Sequence, residues 1–323
     1  MSPVHTSSDR PRVSIVIPLY NETRAVPELC RRLDAVLREA SSGYDVILID
    51  DGSQDDTWAR IEAEHAQNPH VKGVRLSRNF GHQVALSAGL DHVTGDVVVM
   101  MDGDLQDPPE LIPEMLERWR QGWDVVYATK RSRKESLPKR AAFRVFHAIM
   151  HRVADIDIPE GAGNFSLMSG RVVAALRAMP ERARYLSGLR SWVGFRQIGV
   201  EFDRDARYDH QPRMRLSRLV KLALDAIFGF SRLPLRLALY VGIATSTLSL
   251  GVGVWVVYQR FFTSNAITGW ASTLVSLHFI GGAILITLAV IGEYVGRIYD
   301  EVKQRPLYLV RETAGIDAQR AVH

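Results

Sequence analysis

The stretch "VVVMMDGDLQDPPEL", residues 97–111, joins an apolar run to a cluster of acidic side chains. Its first part has the length and composition of a buried strand, and Asp102 and Asp104 follow that strand directly. Carboxylates this close repel each other, and each loses hydration near the interior. We expect Asp102, Asp104 and Gln106 to alternate along an extended strand end, so that their oxygens face one point. The stretch therefore predicts a site for a hard cation, Mg²⁺ or Mn²⁺.

The segments before this stretch predict an α/β fold with a mostly parallel sheet. Strands are expected at 12–19, 45–50, 71–77 and 96–102, and helices at 28–40, 55–66 and 82–92. Alternation at this spacing indicates βαβ units, whose ligands bind at the carboxyl ends of the strands. The polar motifs "PLYNE", "DDGSQDDT", "SRNFG" and "DGDLQD" follow the four strands in turn. Ser53 is expected to cap the helix after the second strand, with Gly52 making the turn.

Composition and missing motifs exclude several classes of protein. The 323 residues are 46% hydrophobic and 24% charged, which is a globular composition, and the net charge of +4 gives no reason to expect a nucleic-acid partner. Neither a Walker loop nor a G-x-G-x-x-G motif follows a strand, which disfavours kinase-like and dinucleotide-binding proteins. The single cysteine, Cys30, excludes an intramolecular disulfide. Residues 1–11 are polar and lack the apolar segment of a signal peptide, so we expect a flexible tail in the cytosol.

Two apolar runs predict a membrane anchor. Residues 237–259 and 261–292 contain no Asp, Glu, Lys or Arg, and each is long enough to cross a bilayer. We expect transmembrane helices at about 235–259 and 271–293, within 235–296; the alternative is a pair of buried helices in a soluble domain. Basic residues flank the two runs on their outer sides: Arg232, Arg236, Arg297, Lys303, Arg305 and Arg311. The positive-inside rule then places both termini in the cytoplasm, including a C-terminal tail at 297–323. Residues 211–234 mix basic and apolar side chains, as in amphipathic helices that lie against a membrane.

The motifs "SIVIPLYNE", "LIDDGSQDDT", "RNFGHQVALSAGLDHVTGD" and "MDGDLQDPPE", in this order, resemble the glycosyltransferase family 2 domain. More narrowly, the chain is similar to the polyisoprenyl-phosphate glycosyltransferases. The resemblance implies a GT-A fold, Rossmann-like with a mostly parallel sheet, over 12–210, followed by a two-helix transmembrane hairpin. It also implies inverting transfer of one sugar from a nucleotide-sugar donor to polyprenyl phosphate at the cytoplasmic face of the cell membrane. UDP-glucose is the first interpretation for the donor, while GDP-mannose, UDP-N-acetylhexosamine and a modified UDP-arabinose stay open. Related enzymes form homo-oligomers, including tetramers.

The same resemblance assigns roles to individual positions. It implies a nucleotide-sugar site formed by Pro18, Tyr20, Glu22, Asp51, Arg78, Asn79 and Asp102. It implies a metal site formed by Asp102, Asp104 and Gln106, in which both aspartates are catalytic. It implies an acceptor-phosphate site formed by Arg131, Arg140 and Arg144. Arg184, Arg190 and Trp192 either flank the donor or are ordinary surface and core residues of a helix.

One position departs from the sequence pattern of the polyisoprenyl-phosphate glycosyltransferases. Many relatives carry Asp before "FRL" where this chain reads "GNFSL" with Asn164, and that Asp is taken to act at the acceptor. Because an amide cannot act as a base, we expect Asn164 to orient the acceptor or the sugar; the alternative is a weakened or non-catalytic scaffold. A processive polysaccharide synthase is disfavoured because no Q-x-x-R-W element is present. A transporter is disfavoured because two largely apolar spans offer too few polar side chains.

Overall fold

The computed structural model describes residues 10–130, 162–182, 184–202, 233–262 and 270–316. The strands are β1 (Arg12–Leu19), β2 (Gly43–Asp50), β3 (Val71–Leu76), β4 (Val97–Met100), β5 (Val125–Lys130), β6 (Ala162–Ser169), β7 (Gln197–Phe202) and β8 (Val310–Ala314). The helices are α1 (Val26–Ala40), α2 (Thr57–Gln67), α3 (His82–His92), α4 (Ile112–Arg120), α5 (Gly170–Ala178), α6 (Leu186–Trp192), α7 (Leu233–Phe262) and α8 (Trp270–Val302). A 3₁₀ turn, Pro109–Leu111, precedes α4. The chain divides into two compact units, one with the sheet and one with α7 and α8.

The strands form one mixed sheet in the order β7-β5-β6-β4-β1-β2-β3-β8. Strands β4, β1, β2 and β3 run parallel to their neighbours in this group. Strand β6 is antiparallel to β4 and β5, and β8 is antiparallel to β3. The four predicted strands are therefore confirmed, and their carboxyl ends share one edge of the sheet. That edge carries all four polar motifs.

Apolar side chains on both faces of β1 anchor the sheet. Val13, Ile15 and Ile17 are fully buried in the main core cluster with Leu29 and other residues of α1. Helix α3 contacts β1 and β2 and contributes its own buried residues. Burial on both faces explains why β1 reads as a continuous apolar run instead of an alternating one. The packing fixes the position of the strand ends to which the polar motifs are attached.

The C-terminal segment is partly a strand of the sheet. We expected residues 297–323 to form a tail, but α8 continues to Val302 and β8 then pairs with β3. The Ser77 N–H donates a hydrogen bond of 2.8 Å to the Leu309 carbonyl. The Tyr308 hydroxyl donates one of 2.8 Å to Asp91 Oδ2 in α3. The chain thus returns to the sheet unit after the two apolar helices.

Helices α7 and α8 contact each other in the second unit. Both are long and apolar enough to cross a membrane, at Leu237–Trp255 and Ser276–Val302. Their described apolar side chains are largely exposed, for example Leu250 at 71% and Leu285 at 68%. Core helices of soluble domains bury such side chains, so exposure argues against the soluble-domain alternative. Most of segment 211–234, predicted to be amphipathic, lies outside the described residues.

Candidate active site

The acidic stretch after β4 forms a turn. The strand ends at Met100, residues 103 and 104 lie in a turn, and Leu105 has a φ of 60°. Our expectation of an extended, alternating strand end is therefore wrong. Two carboxylates bend the chain by accepting backbone hydrogen bonds: Asp107 Oδ2 from the Asp102 N–H at 3.1 Å, and Asp104 Oδ1 from the Gln106 N–H at 3.2 Å. Aspartates in turns commonly bond to nearby backbone in this way.

The turn packs closely against the end of β1. A Cβ at Gly103 would lie 2.4 Å from Leu19 Cδ2 and 3.2 Å from the Pro18 carbonyl oxygen. A larger residue here would have to displace the buried Leu19 side chain and would crowd the Pro18 carbonyl, which favours glycine between the two aspartates. Asp102 and Asp104 are each partly exposed, whereas Asp107 is buried. The first two carboxylates therefore reach the surface of the turn, and the third supports the turn from inside.

The donor set of this turn fits a hard divalent cation. Asp102, Asp104 and Gln106 supply carboxylate and amide oxygens and are all partly exposed, and such oxygens are the ligands that Mg²⁺ and Mn²⁺ prefer. Within residues 10–130 and the other described ranges, no group of three or more His, Cys, Asp and Glu side chains forms a ligand set. Phosphate or water oxygens would complete the coordination of an ion held by these three side chains.

A histidine that sequence reasoning left without a role contacts this turn. His82, the first residue of α3, has its Nε2 3.0 Å from Asp102 Oδ1. Partial burial opposes the charged imidazole, but the hydrogen bond to Asp102 and the charges of Asp102, Asp51 and Asp104 together raise the pKa of His82. The surroundings thus favour positive charge beside Asp102. The His82 side chain is 43% exposed, and Gly81 is the N-cap residue of α3.

Asp50 and Asp51, at the end of β2, hold two neighbouring loops. Asp50 is fully buried; its Oδ1 accepts a bond of 2.9 Å from the Ser53 N–H, and its Oδ2 lies 3.3 Å from Arg75 Nε. Asp51 accepts bonds from the Phe80 N–H at 2.7 Å and the Gly81 N–H at 3.0 Å. Burial raises the pKa of Asp51, against the effect of these two bonds. Asp51 thereby fixes the loop that carries Arg78 and Asn79.

The glycine after the two aspartates permits a close contact with that loop. Gly52 has a φ of +67°, and a Cβ there would lie 2.4 Å from the Arg78 carbonyl carbon. The Arg78 guanidinium stacks on the Phe80 ring, 4.3 Å from its centroid, and Arg78 and Asn79 are exposed. The loops after β2 and β3 therefore form one rigid wall of the candidate site.

The loop after β1 joins the same wall. The Asn21 N–H donates to Ser53 Oγ at 3.0 Å, and the Glu22 N–H donates to Thr57 Oγ1 at 3.0 Å. Ser53 therefore does not cap the next helix as we expected, because its hydroxyl binds the β1 loop and α2 begins only at Thr57. Tyr20 is 37% exposed and Pro18 is buried. The roles of Pro18, Tyr20 and Glu22 toward a nucleotide stay predictions.

A second network connects the starts of α3, β6 and α6. Gln83 Nε2 and Ser187 Oγ each lie 3.3 Å from Asn164 Oδ1. Gln83 Oε1 accepts a bond of 2.9 Å from the Leu186 N–H. Arg190 is fully buried, and its Nη1 donates to the Gly163 carbonyl at 3.2 Å. Asn164 is therefore held by partners that sequence reasoning did not identify.

The remaining predicted residues have different outcomes. Arg184 donates to the carbonyls of Leu176 and Met179, at 3.0 and 2.7 Å, and so supports the end of α5. Trp192 is 62% exposed. The predicted acceptor-phosphate residues Arg131, Arg140 and Arg144 lie outside the described residues.

Comparisons with known proteins relate this chain to glycosyltransferases. The family model described as "Glycosyl transferase family 2" matches residues 14–177. A mannosyltransferase from Pyrobaculum calidifontis, solved in complex with GDP-Man and Mn²⁺, aligns with a TM-score of 0.46 at 15% identity, over 93% of this chain and 91% of that chain. An uncharacterized glycosyltransferase of Synechocystis is 44% identical over 306 residues, 94% of this chain and 96% of that protein.

A further relative carries a more specific name. The bactoprenol glucosyl transferase of Shigella phage SfII is 37% identical over 303 residues, 94% of this chain and 98% of that protein. The mostly parallel mixed sheet with its flanking helices is that of a glycosyltransferase with a GT-A fold. The chain belongs to glycosyltransferase family 2.

Proposed function

We propose that this enzyme transfers a single sugar from a nucleotide-sugar to the phosphate of a polyprenyl lipid at the membrane surface. The observation that carries the proposal is full-length similarity to a bactoprenol glucosyl transferase, 37% identical over 94% of this chain. UDP-glucose is the donor that this similarity favours. The carboxylate turn after β4 and the wall formed by the three loops give the chemistry that such a donor needs.

Different residues in the described part of the chain bind different parts of the donor. The wall fixed by Asp50 and Asp51 offers Tyr20, Arg78 and Asn79 to the base and the ribose. The turn offers Asp102, Asp104 and Gln106 to a divalent cation beside the diphosphate. When bound, that cation would stabilise the negative charge that develops on the leaving nucleoside diphosphate. We expect inversion at the anomeric carbon, with direct attack by a phosphate oxygen of the lipid.

The topology of the sheet supports a membrane hairpin. Strands β1 to β7 precede the two apolar helices and β8 follows them, yet β8 pairs with β3. If α7 and α8 each cross the bilayer once, both ends of the hairpin lie on one side, as a sheet shared by both ends requires. The distribution of basic residues favours the cytoplasmic side.

The test supplies purified full-length protein with polyprenyl phosphate, Mg²⁺ or Mn²⁺ and a panel of UDP- and GDP-sugars, and detects glycolipid by mass spectrometry. We expect product with UDP-glucose and at least about a hundredfold less from Asp104→Asn, because removing a group that stabilises developing charge has effects of this size. Asp56→Asn is the matched control, since Asp56 is exposed and Asn serves equally as an N-cap residue. Undiminished product from Asp104→Asn would contradict the metal role. Donor hydrolysis without glycolipid from any donor would contradict the proposed function and favour a weakened scaffold.

A further inference from the structure

The orientation of the Gln83 side-chain amide is fixed by a backbone group. The Leu186 N–H can only donate, so the atom 2.9 Å from it must be the carbonyl oxygen of Gln83. The NH₂ group of Gln83 then points to the opposite side, where it lies 3.3 Å from the Asn164 side chain. One backbone bond thus determines which face of Gln83 meets Asn164.

Gln83 in turn fixes the orientation of Asn164. A donor NH₂ requires an acceptor, so Asn164 turns its Oδ1 toward Gln83, and Ser187 Oγ lies 3.3 Å from the same oxygen. The single hydroxyl proton of Ser187 is shared with the Gly163 carbonyl, also 3.3 Å away, so Gln83 is the deciding partner. The Nδ2 atom of Asn164 is left as the outward group on a partly exposed residue, with no hydrogen bond in the described part of the chain.

A buried cation contacts the residue before Asn164, because Arg190 Nη1 donates to the Gly163 carbonyl. Arg190 has no exposed surface, and its Nε and Nη2 atoms are without hydrogen-bond partners in the described residues. Burial lowers the pKa of Arg190 to about 10, so the side chain keeps its positive charge at neutral pH. A buried charge without a carboxylate partner costs stability, and it creates a positive potential at the Gly163 end of β6 that favours anions.

The register of the sheet brings this end of β6 to the carboxylate turn. In the antiparallel pair of β4 and β6, Met100 lies opposite Ser166. Strand β4 ends at Met100, so Asp102 lies two residues beyond the last paired residue, and Asn164 lies two residues before Ser166 in β6. His82, which contacts Asp102, is the residue before Gln83, which contacts Asn164. The Asn164 amide therefore belongs to the same edge as the donor-diphosphate turn.

We propose that Asn164 Nδ2 donates a hydrogen bond to a substrate phosphate oxygen, that Gln83 and Ser187 are positioning residues for this amide, and that Arg190 supplies the accompanying positive potential. The inference rests on the proposed function and deepens it. Two phosphates meet at this edge in that reaction, the donor diphosphate and the acceptor monophosphate. An amide donor removes no proton, so the site is suited to an acceptor that is already ionised, and it selects a phosphate over a lipid hydroxyl.

Two substitutions of Asn164 separate ligand binding from a structural role. Asn164→Asp keeps an oxygen for Gln83 and Ser187 but exchanges the outward NH₂ for a carboxylate oxygen, whereas Asn164→Ala removes both functions. If the amide binds phosphate, Asn164→Ala weakens binding about tenfold, the size of one bond to a charged group, and Asn164→Asp weakens it further by repulsion. If the residue only supports the fold, Asn164→Asp is the milder change.

The measurement is the binding of two separate probes to full-length protein in nanodiscs. The affinity for UDP with Mg²⁺, measured by calorimetry, represents binding of the donor diphosphate. The affinity for undecaprenyl phosphate, measured by native mass spectrometry, represents binding of the acceptor phosphate. The probe whose affinity follows the order wild type, Asn164→Ala, Asn164→Asp identifies the phosphate that the amide binds. Equal affinities of the three proteins for both probes, or a milder effect of Asn164→Asp than of Asn164→Ala, would overturn the proposal.

A substitution of Gln83 tests the positioning role. In Gln83→Glu, one carboxylate oxygen still accepts the hydrogen bond from the Leu186 N–H. The other carboxylate oxygen faces Asn164 and can only accept a hydrogen bond. The Asn164 side chain therefore rotates by 180° and turns its NH₂ group toward residue 83. We expect about a tenfold loss of affinity for the identified phosphate in the wild-type background and little further loss in an Asn164→Ala background. An equal loss in both backgrounds would show that the added charge acts directly and would refute the positioning role. These binding results stand even if wild-type protein forms no glycolipid, so failure of the proposed function is a distinguishable outcome.

Discussion

At the scale of single residues, Asp45 shows how a buried carboxylate contributes to the sheet. Its side chain is 5% exposed and lies 2.8 Å from both Arg12 Nη2 and Lys72 Nζ. Burial works to raise the pKa of Asp45, but the hydrogen bonds and charges of Lys72 and Arg12 outweigh it and lower the pKa. The ionised form is therefore more favourable in the folded protein than in the unfolded chain.

This shift predicts a pH dependence of stability. A carboxyl group whose pKa is depressed by folding contributes stability above its unfolded pKa of about 3.9, and this contribution is lost as the pH falls through the folded pKa. We expect Asp45→Asn to lower the free energy of unfolding by about 2 kcal/mol at pH 7, the size of bonds to charged groups. The deficit relative to wild type should shrink below about pH 4. Denaturant unfolding of the full chain from pH 7 to pH 3 checks this, with the exposed Asp56→Asn as control; a deficit that is constant over this range would contradict it.

The sequence motifs predicted part of the candidate site. The motifs around Asp51, Asp102 and Asp104 are readable because each follows an apolar strand along the chain. The contacts of His82 with Asp102 and of Gln83 with Asn164 join residues 20 and 81 positions apart. No local spacing signals such contacts, because they depend on which strands become neighbours in the sheet.

At the scale of elements, β8 connects the C-terminal segment to the wall of the candidate site. Leu309 accepts a bond from Ser77, which directly precedes the loop that Asp51 holds. The Tyr308 hydroxyl bonds to Asp91 in α3, and both burial and that carboxylate raise the pKa of Tyr308. We therefore regard the segment of Tyr308, Leu309 and β8 as a support for the wall of the candidate site.

Removing β8 is expected to weaken donor binding. A stop codon after Gln304 leaves α7 and α8 intact but exposes the edge of β3 and frees the Ser77 N–H. We expect the affinity for UDP with Mg²⁺ to fall about tenfold, because the loop held by Asp51 loses one of its supports. Tyr308→Phe is the matched variant, since it keeps the strand and removes one hydrogen bond; its thermal stability should fall while its UDP affinity is retained. Unchanged UDP affinity in the truncated protein would show that β8 is not needed for the wall.

Local patterns predicted the elements that precede the acidic turn. Helix α1 begins at Val26, two residues before the predicted start, because Pro27 is well accommodated in a first helical turn. The antiparallel placement of β6 and the pairing of β8 with β3 were not predicted. Strand β8 lies at an edge of the sheet, where the apolar pattern is weaker. Strand β6 lies inside the sheet, and its partners are set by how the rest of the sheet assembles, which no local pattern records.

At the scale of the whole molecule, the single cysteine makes membrane topology measurable. Burial raises the pKa of Cys30 to about 12, so the wild-type thiol reacts slowly at neutral pH and gives little background. New cysteines can then be introduced one at a time. Ser42 and Gln304 are exposed residues on the two sides of the apolar helices along the chain.

We expect the cysteines of Ser42→Cys and Gln304→Cys to lie on the same side of the membrane. Both should therefore react with an impermeant maleimide in one vesicle orientation and be protected in the other. A cysteine between the two helices, in Ser264→Cys, should react only in vesicles of the opposite orientation, because a hairpin places its connecting segment across the bilayer. The measurement is the fraction of each cysteine that is labelled in intact and in inverted vesicles, determined by mass spectrometry. Reaction of Gln304→Cys together with Ser264→Cys would exclude a hairpin.

The pairing of Leu76 with Val310 also has a consequence for biosynthesis. More than two hundred residues are translated between the two partners, which takes roughly 10 to 50 seconds at about 5–20 residues per second. During this interval the outer edge of β3 has no strand beside it, and open edges attract foreign strands. The nascent polypeptide therefore passes through an aggregation-prone stage that ends only when the ribosome has delivered the last strand, and chaperone dependence should be greatest in that window.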